Sequence, residues 1–361
     1  MSRGCPVCTG RVVERGINDL NYLYPELVKN RWSYVYNDIS PCDVTPYSSY
    51  KAWWLCSECG SPFQREVNSV VRGKCICLSC INTRVVSSEE LELYNEVLRV
   101  FPNVISQYAV DRKVYDIYVP EVNMLVDFNG VYYHNELFHS DVNYHYNRYI
   151  TAKENGYSLY VIWEDDWRRN KDLCLRGLYS KLGVLAVKKV NARECMVKES
   201  SFSSGILDRY HIQGNAPIGC RYLQLIEGSE VVSELAYRWD NGFINIVRFA
   251  SIYNVRGGFT KLLKRLKLLN PEGVYTFSDN AVSDGCLYSK NGFKLDSELK
   301  PDYFYVYNGE RKHKFNFRIE RFLSDENLIY EEGLSEHDLA LKNKIYRIYD
   351  YGKKKWILYI D

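Results

Sequence analysis

"NVRGGFTKLLKRLKLL", residues 254–269, sets two glycines directly before a basic, leucine-rich run. It reads as a helix opened by Gly257 and Gly258. Upstream, "SELAYRW" (233–239) and "FINIVRFAS" (243–251) read as strands of a central sheet. Downstream, "GVYTFSDNAVSDGCLYSKNGFK" (273–294) reads as a further strand and a helix ending at "NGF", followed by "DYFYVYNG" (302–309). The tail "NKIYRIYDYGKKKW" (343–356) is one more strand or a basic arm.

A chain of 361 residues has room for two to three domains of about 100–200 residues each. With 46% hydrophobic and 25% charged residues it has a globular composition. No apolar run approaches the roughly 18 residues of a membrane span. The opening "MSRGCPVCTG" lacks the apolar core of a signal peptide, so a cytoplasmic, reducing location is expected, with the twelve cysteines not in disulfides. The net charge of +2 decides nothing about polyanionic partners, because local clustering is what binds nucleic acid.

Eight cysteines precede residue 81, six of them as C-x-x-C pairs: Cys5 with Cys8, Cys56 with Cys59, and Cys77 with Cys80. Two such turns supply the four thiolates of a tetrahedral zinc, and Cys56, Cys59, Cys77 and Cys80 have zinc-ribbon spacing. "RGCPVCTGRVV" (3–13) repeats as "RGKCICLSCINTRVV" (72–86), so a partial unit precedes a complete one. Cys5 and Cys8 are candidates for a second zinc shared with Cys42 and Cys75, for a partial site, or for no site. The intervening "CDVTPYSSYKAWWLCSECGSPFQREVNSVVRGKC" (42–75) resembles phage and bacterial zinc-ribbon repeats.

After residue 84, "SSEELELYNEVLRVFPNV" (87–104) reads as a helix with Ser87 and Glu90 as a capping box. In "VYDIYVPEVNMLVDFNGVYYHNELFHSD" (114–141), strands are expected at 113–119 and 122–128, then a helix at 141–155, then the buried strand in "YSLYVIWEDDW" (157–167). Asp116 and Asp127 on neighbouring strands, with Glu90 on the helix, would gather carboxylates that are costly to bury without a divalent cation. Mg²⁺ held there could activate water against a phosphodiester, with a histidine as acid or base.

The spacing Asp116, Gly130, His134 resembles the core of very-short-patch-repair (Vsr) endonucleases, a branch of the PD-(D/E)XK nucleases. "VDFNG", "YHYNRYITAKENGY" and "IWEDDW" are similar to the EDxHD group of phage homing endonucleases (Hef-like proteins). The resemblance implies Asp116 and Asp127 as Mg²⁺ ligands, with Mn²⁺ as substitute, and His134 as base or leaving-group acid. It also implies Glu90 as the helix carboxylate, and His145 and Arg148 near the scissile phosphate. Asn129 stands where the wider superfamily has a lysine.

The region after about Val187 resembles the GNAT acyltransferase fold, whose glycine loop holds the pyrophosphate of acetyl-CoA. "LYSKNGF" is similar to that fold's "LY...GF" ending, and "VRGGFT" to part of its R/Q-x-x-G-x-G/A loop. No general base stands out.

The expected fold is therefore α/β multidomain: a zinc ribbon (1–84), a Vsr-like PD-(D/E)XK nuclease core (85–185), a GNAT-like α+β domain (186–325) for DNA binding or structure, and a tail (326–361). The expected function is site-specific, metal-dependent cleavage of double-stranded DNA in a bacterial host's cytoplasm. The alternatives are a mismatch nickase, a DNA-modifying acyltransferase with an inactive nuclease domain, and a zinc-stabilised repressor. Basic runs at Arg168, Arg169, Lys171 and Arg176, at Lys261, Lys264, Arg265 and Lys267, and at Arg311, Lys312, Lys314 and Arg318 are candidate phosphate contacts.

Overall fold

The computed structural model describes residues 5–7, 10, 12–57, 62–72 and 87–360, which fall into two compact units, 1–91 and 92–361. No helix among the described residues is long and apolar enough to cross a membrane.

In the first unit, α1 (Leu20–Leu23) and α2 (Pro25–Arg31) precede a hairpin of β1 (Lys51–Leu55) and β2 (Pro62–Glu66), and α3 (Val67–Val71) follows. Asp19 caps α1 by accepting from the Tyr22 N–H. Pro25 sits at the start of α2, where a missing N–H costs nothing. The alternation in "KAWWL" turns Ala52 and Trp54 inward onto Leu20, Val28 and Val67, and the rings of Trp32 and Trp54 meet edge to face at 5.3 Å. Cys56 is buried just beyond β1 and Cys5 is exposed. Cys8, Cys59, Cys77 and Cys80, with Cys75, lie outside the described residues.

The second unit begins within α4 (Ser88–Leu98), where the Glu90 N–H donates to the Ser87 hydroxyl as the capping box requires. Then come β3 (Ile105–Val110), β4 (Lys113–Val119), β5 (Met124–Asn129), α5 (Tyr144–Glu154), β6 (Ser158–Trp163) and α6 (Glu164–Lys181). The four strands form one sheet in chain order, antiparallel except for the parallel pair β5–β6. Strand β3 is absent from the sequence reading. The strand pairs with β4 in one constant register, and its burial shows no in–out alternation, with only Val110 buried, so the signal that would have marked it is missing. At position 177 a Cβ would meet the Tyr160 hydroxyl, so glycine there lets α6 lie close on β6.

The larger part of the unit is a seven-stranded sheet. Its members are β8 (Met196–Ser200), β9 (Arg221–Glu227), β10 (Glu230–Asp240), β11 (Phe243–Ser251), β13 (Gly273–Asp279), β14 (Lys294–Leu299) and β18 (Lys353–Tyr359). The spatial order is β14-β18-β13-β11-β10-β9-β8, antiparallel throughout except for β11 and β13. That parallel step requires a crossover, made by β12 (Asn254–Arg256), which pairs with β7 (Lys189–Asn191), and by α8 (Gly258–Lys267). Leu262, Leu263 and Leu266 of α8 pack on Leu225, Leu235, Ile244 and Val274. The strip is apolar because these leucines recur at helical spacing. Helix α7 (Ile206–Tyr210) covers the other face beside Tyr222, Ala236 and Ala250.

A small sheet of β15 (Tyr303–Tyr307), β16 (Glu310–His313) and β17 (Tyr346–Tyr349) lies between β14 and β18 in the chain, with its own core of Tyr305, Phe317, Phe322 and Leu339. The tail is therefore no basic arm: β18 is an interior strand between β13 and β14.

The expected fold class is corrected accordingly. What organises residues 92–361 is the seven-stranded α+β sheet, whose strand β18 (Lys353–Tyr359) lies in the segment expected as a tail. The sheet β3–β6 abuts it, with the Val161 N–H donating to the Ala281 carbonyl at 2.8 Å, and the Vsr-like nuclease core is withdrawn as the organising fold.

Candidate active site

Strands β11 and β13 pair only through Phe243–Ile246 and Gly273–Thr276. The cause lies on β11's other edge. The β10–β11 register shifts between Ala236 and Tyr237, leaving Val247 as a bulged residue that bends the strand. Thr276 closes the last paired rung by donating its hydroxyl to the Ile246 carbonyl at 3.0 Å. Beyond it β11 runs on to Ser251 and β13 to Asp279 without pairing to each other.

Two cavities occupy the parting. One, about 720 Å³, is lined by Asn245, Arg248, Ser278, Asp279 and His211, and by Tyr288 of α9 (Cys286–Lys290). The other, about 670 Å³, is lined by Ser251, Asn254, Gly257, Gly258 and Thr260, with Arg176 and Lys181 from α6. Gly257 precedes α8 at φ 74°, and a Cβ on Gly258 would stand 3.0 Å from Val255. The α8 N-terminus has no side-chain cap, and its first residues, Gly258, Phe259 and Thr260, line this cavity. Arg176 donates to the Ser251 and Ile252 carbonyls at the end of β11.

Two titratable groups stand at the parting. The Asp279 carboxylate accepts from the Ala281 N–H at 2.9 Å, and burial pushes its pKa up. Burial also raises the Tyr288 phenol, outweighing the opposing hydrogen bond with Thr276, so it stays protonated at neutral pH. The sequence reading missed both. An aspartate closing an apolar strand in "GVYTFSD" was the available signal for Asp279.

The residues named from the sequence assemble elsewhere, on β4, β5 and α5. Asp127 is completely buried, and Arg148 takes both its oxygens, Nη2 to Oδ1 at 2.7 Å and Nε to Oδ2 at 2.9 Å. The Tyr351 hydroxyl donates to Oδ2 at 3.4 Å. Arg148 also lies 4.6 Å over the Tyr115 ring. A guanidinium thus takes the place expected for Mg²⁺. Asp116 accepts the Phe128 N–H at 2.7 Å, and the Glu164 carboxylate accepts that of Val131 at 2.9 Å. His134 Nδ1 and His145 Nε2 are 3.0 Å apart, while Glu90 occupies its helix cap.

The histidine pair predicts a pH effect. Burial, then repulsion by Arg148, pushes the His134 imidazole down to about 4, and burial beside His134 holds His145 well below the usual range. An unfolded histidine titrates near 6.5. Between that pH and about 4 the unfolded chain takes up protons that the folded pair refuses. Stability is therefore full above pH about 6.5 and falls as the pH drops through that window. Urea midpoints measured from neutral pH down to about 4 should decline, and a flat profile would contradict a buried neutral pair.

The expected phosphate contacts are largely paired internally. Arg168 meets Glu164, Arg169 meets Asp166, Lys171 meets Glu92, and Arg265 meets Glu199. Arg311 binds Asp165 and Asp166 and stacks on Trp163, Lys314 meets Asp302, and Arg318 meets Glu336. Lys261 donates to the Ala192 and Cys195 carbonyls.

No curated protein matches the chain. Residues 28–83 match the family described as "Probable Treble clef zinc finger domain". Among solved structures, the chain is similar to the IAA acetyltransferase from Bacillus cereus, at 14% identity and a TM-score of 0.27, over 46% of this chain and 99% of that one. It is similar to a Bacillus subtilis acetyltransferase in complex with CoA, at 13% and 0.26, over 46% and 99%. It is also similar to the ribosomal-protein-S18-alanine N-acetyltransferase from Escherichia coli, at 10% and 0.26, over 46% and 95%. These are acetyltransferases, where the sequence resemblance implied nucleases. Among the described residues no group of three or more His, Cys, Asp or Glu side chains could hold a metal ion. With Asp127 held by Arg148, the Mg²⁺-dependent endonuclease, its nickase variant and the expected Mg²⁺ and Mn²⁺ are corrected. Zn²⁺ is likewise not placed: Cys59, Cys77 and Cys80 of the complete set lie outside the described residues.

Proposed function

We propose that this chain is an acyltransferase that moves an acyl group from a coenzyme A thioester to an amine. The observation that carries the reading is the parallel pair β11–β13, joined over four residues and then parted in front of the glycine-opened helix α8. The unpaired backbone groups of the parted strands suit an extended amide-bearing arm, and the N–H groups at Gly257 and Gly258 suit its diphosphate. The thioester, when bound, supplies the activated acyl carbon. Asp279, a carboxylate made more basic by burial, takes the proton of the attacking amine. Tyr288, kept protonated, returns a proton to the departing sulfur as the C–N bond forms and the C–S bond breaks. A cytoplasmic location goes with such a donor.

The test is calorimetric titration of the full chain with acetyl-CoA, followed by thiol release with amines, polyamines, amino acids and double-stranded DNA as acceptors. Binding in the range of about 1 μM to 1 mM is expected, as for ordinary enzyme substrates. Absence of both binding and thiol release with every acceptor would sink the proposal.

A further inference from the structure

Resting on the acyltransferase reading, we infer that the acceptor is an amine that also carries an oxyanion, a carboxylate or a phosphate, and that Arg248 and His211 bind that oxyanion in the larger cavity. Arg248 lies on β11 just past the bulge, opposite Ala236, and lines the cavity. Among the described residues its side chain makes one hydrogen bond, from Nη1 to the carbonyl of its neighbour Val247, at 2.9 Å. Nε is sealed from solvent and has no partner. Among the described residues no carboxylate forms an ion pair with Arg248, whereas Arg169, Arg311 and Lys353, which line the same cavity, are each paired with an aspartate.

An uncompensated, half-buried cation is costly, and a bound anion is the ordinary means of compensating it. The guanidinium fork matches the two oxygens of a carboxylate or phosphate. His211 lines the same cavity, and its Nδ1 accepts the Gln213 N–H at 3.2 Å. That bond places the proton of the neutral ring on Nε2, as a second donor. Asn245, on the same strand, leaves its Oδ1 buried and without a partner, an acceptor suited to the N–H of the amine. The cavity therefore offers donors for an oxyanion and an acceptor for an amine.

Inorganic phosphate and acetate are the probes, titrated separately into the full chain in an amine-free, zwitterionic buffer and followed by calorimetry and thermal melting. One of them is expected to bind and to raise the melting temperature, and which one does so identifies the oxyanion. Arg248→Met should weaken that binding by about 10-fold or more, the loss expected for a charged hydrogen bond. It should leave the ligand-free melting temperature unchanged or higher, because it removes an unpaired charge, whereas a residue with a structural role would melt lower. Should Arg248→Met fail to fold, Arg248→Lys keeps the charge without the fork and is expected to give intermediate affinity. No binding of either probe, or binding unaltered in the variants, overturns the inference. Acetyl-CoA titrated in parallel separates the two claims. Donor binding without an anion effect removes this inference alone, and an anion effect without donor binding removes the acyltransferase reading and leaves Arg248 and His211 as an anion site.

Discussion

Arg148→Ala is expected to destabilise the unit formed by residues 92–361 by about 3–5 kcal/mol, the range for breaking a buried ion pair from one side. Asp127 has no exposed surface and the Arg148 side chain is 11% exposed, so water cannot replace the guanidinium. After truncation the carboxylate would keep, among the side-chain donors of the described residues, the Tyr351 hydroxyl at 3.4 Å. The Tyr115 ring would lose its stacked partner, and the Val114 carbonyl the Nη2 donor at 2.8 Å. Desolvation of a lone carboxylate is the large term here, and the lost stacking is a smaller one. The double variant Arg148→Met with Asp127→Leu removes both charges and should recover most of the stability, as apolar replacement of a buried pair often does. Urea denaturation followed by circular dichroism measures both. A single variant within about 1 kcal/mol of the parent would place the pair among exposed, weakly contributing ones.

For Tyr288→Phe, the expected result is a fall in kcat of about 100-fold or more with acetyl-CoA affinity unchanged, because a positioned general acid contributes roughly 10²–10⁴ in rate. The ring should stay in place: it packs against Phe259, Phe293 and Trp356 by its faces and edges, which phenylalanine retains. What disappears is the hydroxyl at Thr276, on the last rung before β11 and β13 part. Steady-state kinetics with whichever acceptor supports thiol release would decide the point. A proportional loss of acetyl-CoA binding would mean that Tyr288 shapes the cleft and does not donate the proton.

Local chemistry was legible wherever a single element carried its own signal. Strand β4 falls at 113–119 as its alternation implies, α5 ends before Gly156, and Ser87 caps α4. The glycine pair opens α8, since φ 74° at position 257 is a conformation that glycine adopts without a Cβ clash. Where two segments far apart in the chain had to meet, the same residues were read with the wrong partners. Asp127 and Arg148 were both picked out, but as a metal ligand and a phosphate contact; they are each other's partner across 21 residues of chain. Several members of the basic runs, among them Arg168, Arg169, Lys171 and Arg265, meet carboxylates in three dimensions. Arg311 is the clearest case, reaching Asp165 across 146 residues.

Sequence by itself determined elements such as β4, α4 and α5, the spacing of the cysteine pairs in the N-terminal region and the glycine opening of the crossover helix, because each depends on dihedral preferences and spacings within about a dozen residues. Only the tertiary structure decided the cleft. β11 parts from β13 because a bulge against β10 bends it, and β13's other edge is closed by β18, some 80 residues further along the chain. Asn245, Arg248, Asp279 and Tyr288 acquire a shared cavity only through those non-local pairings. A backbone hydrogen bond has no sequence signature for its partner, so the place where pairing stops, and where a ligand can enter, is fixed by the assembled sheet.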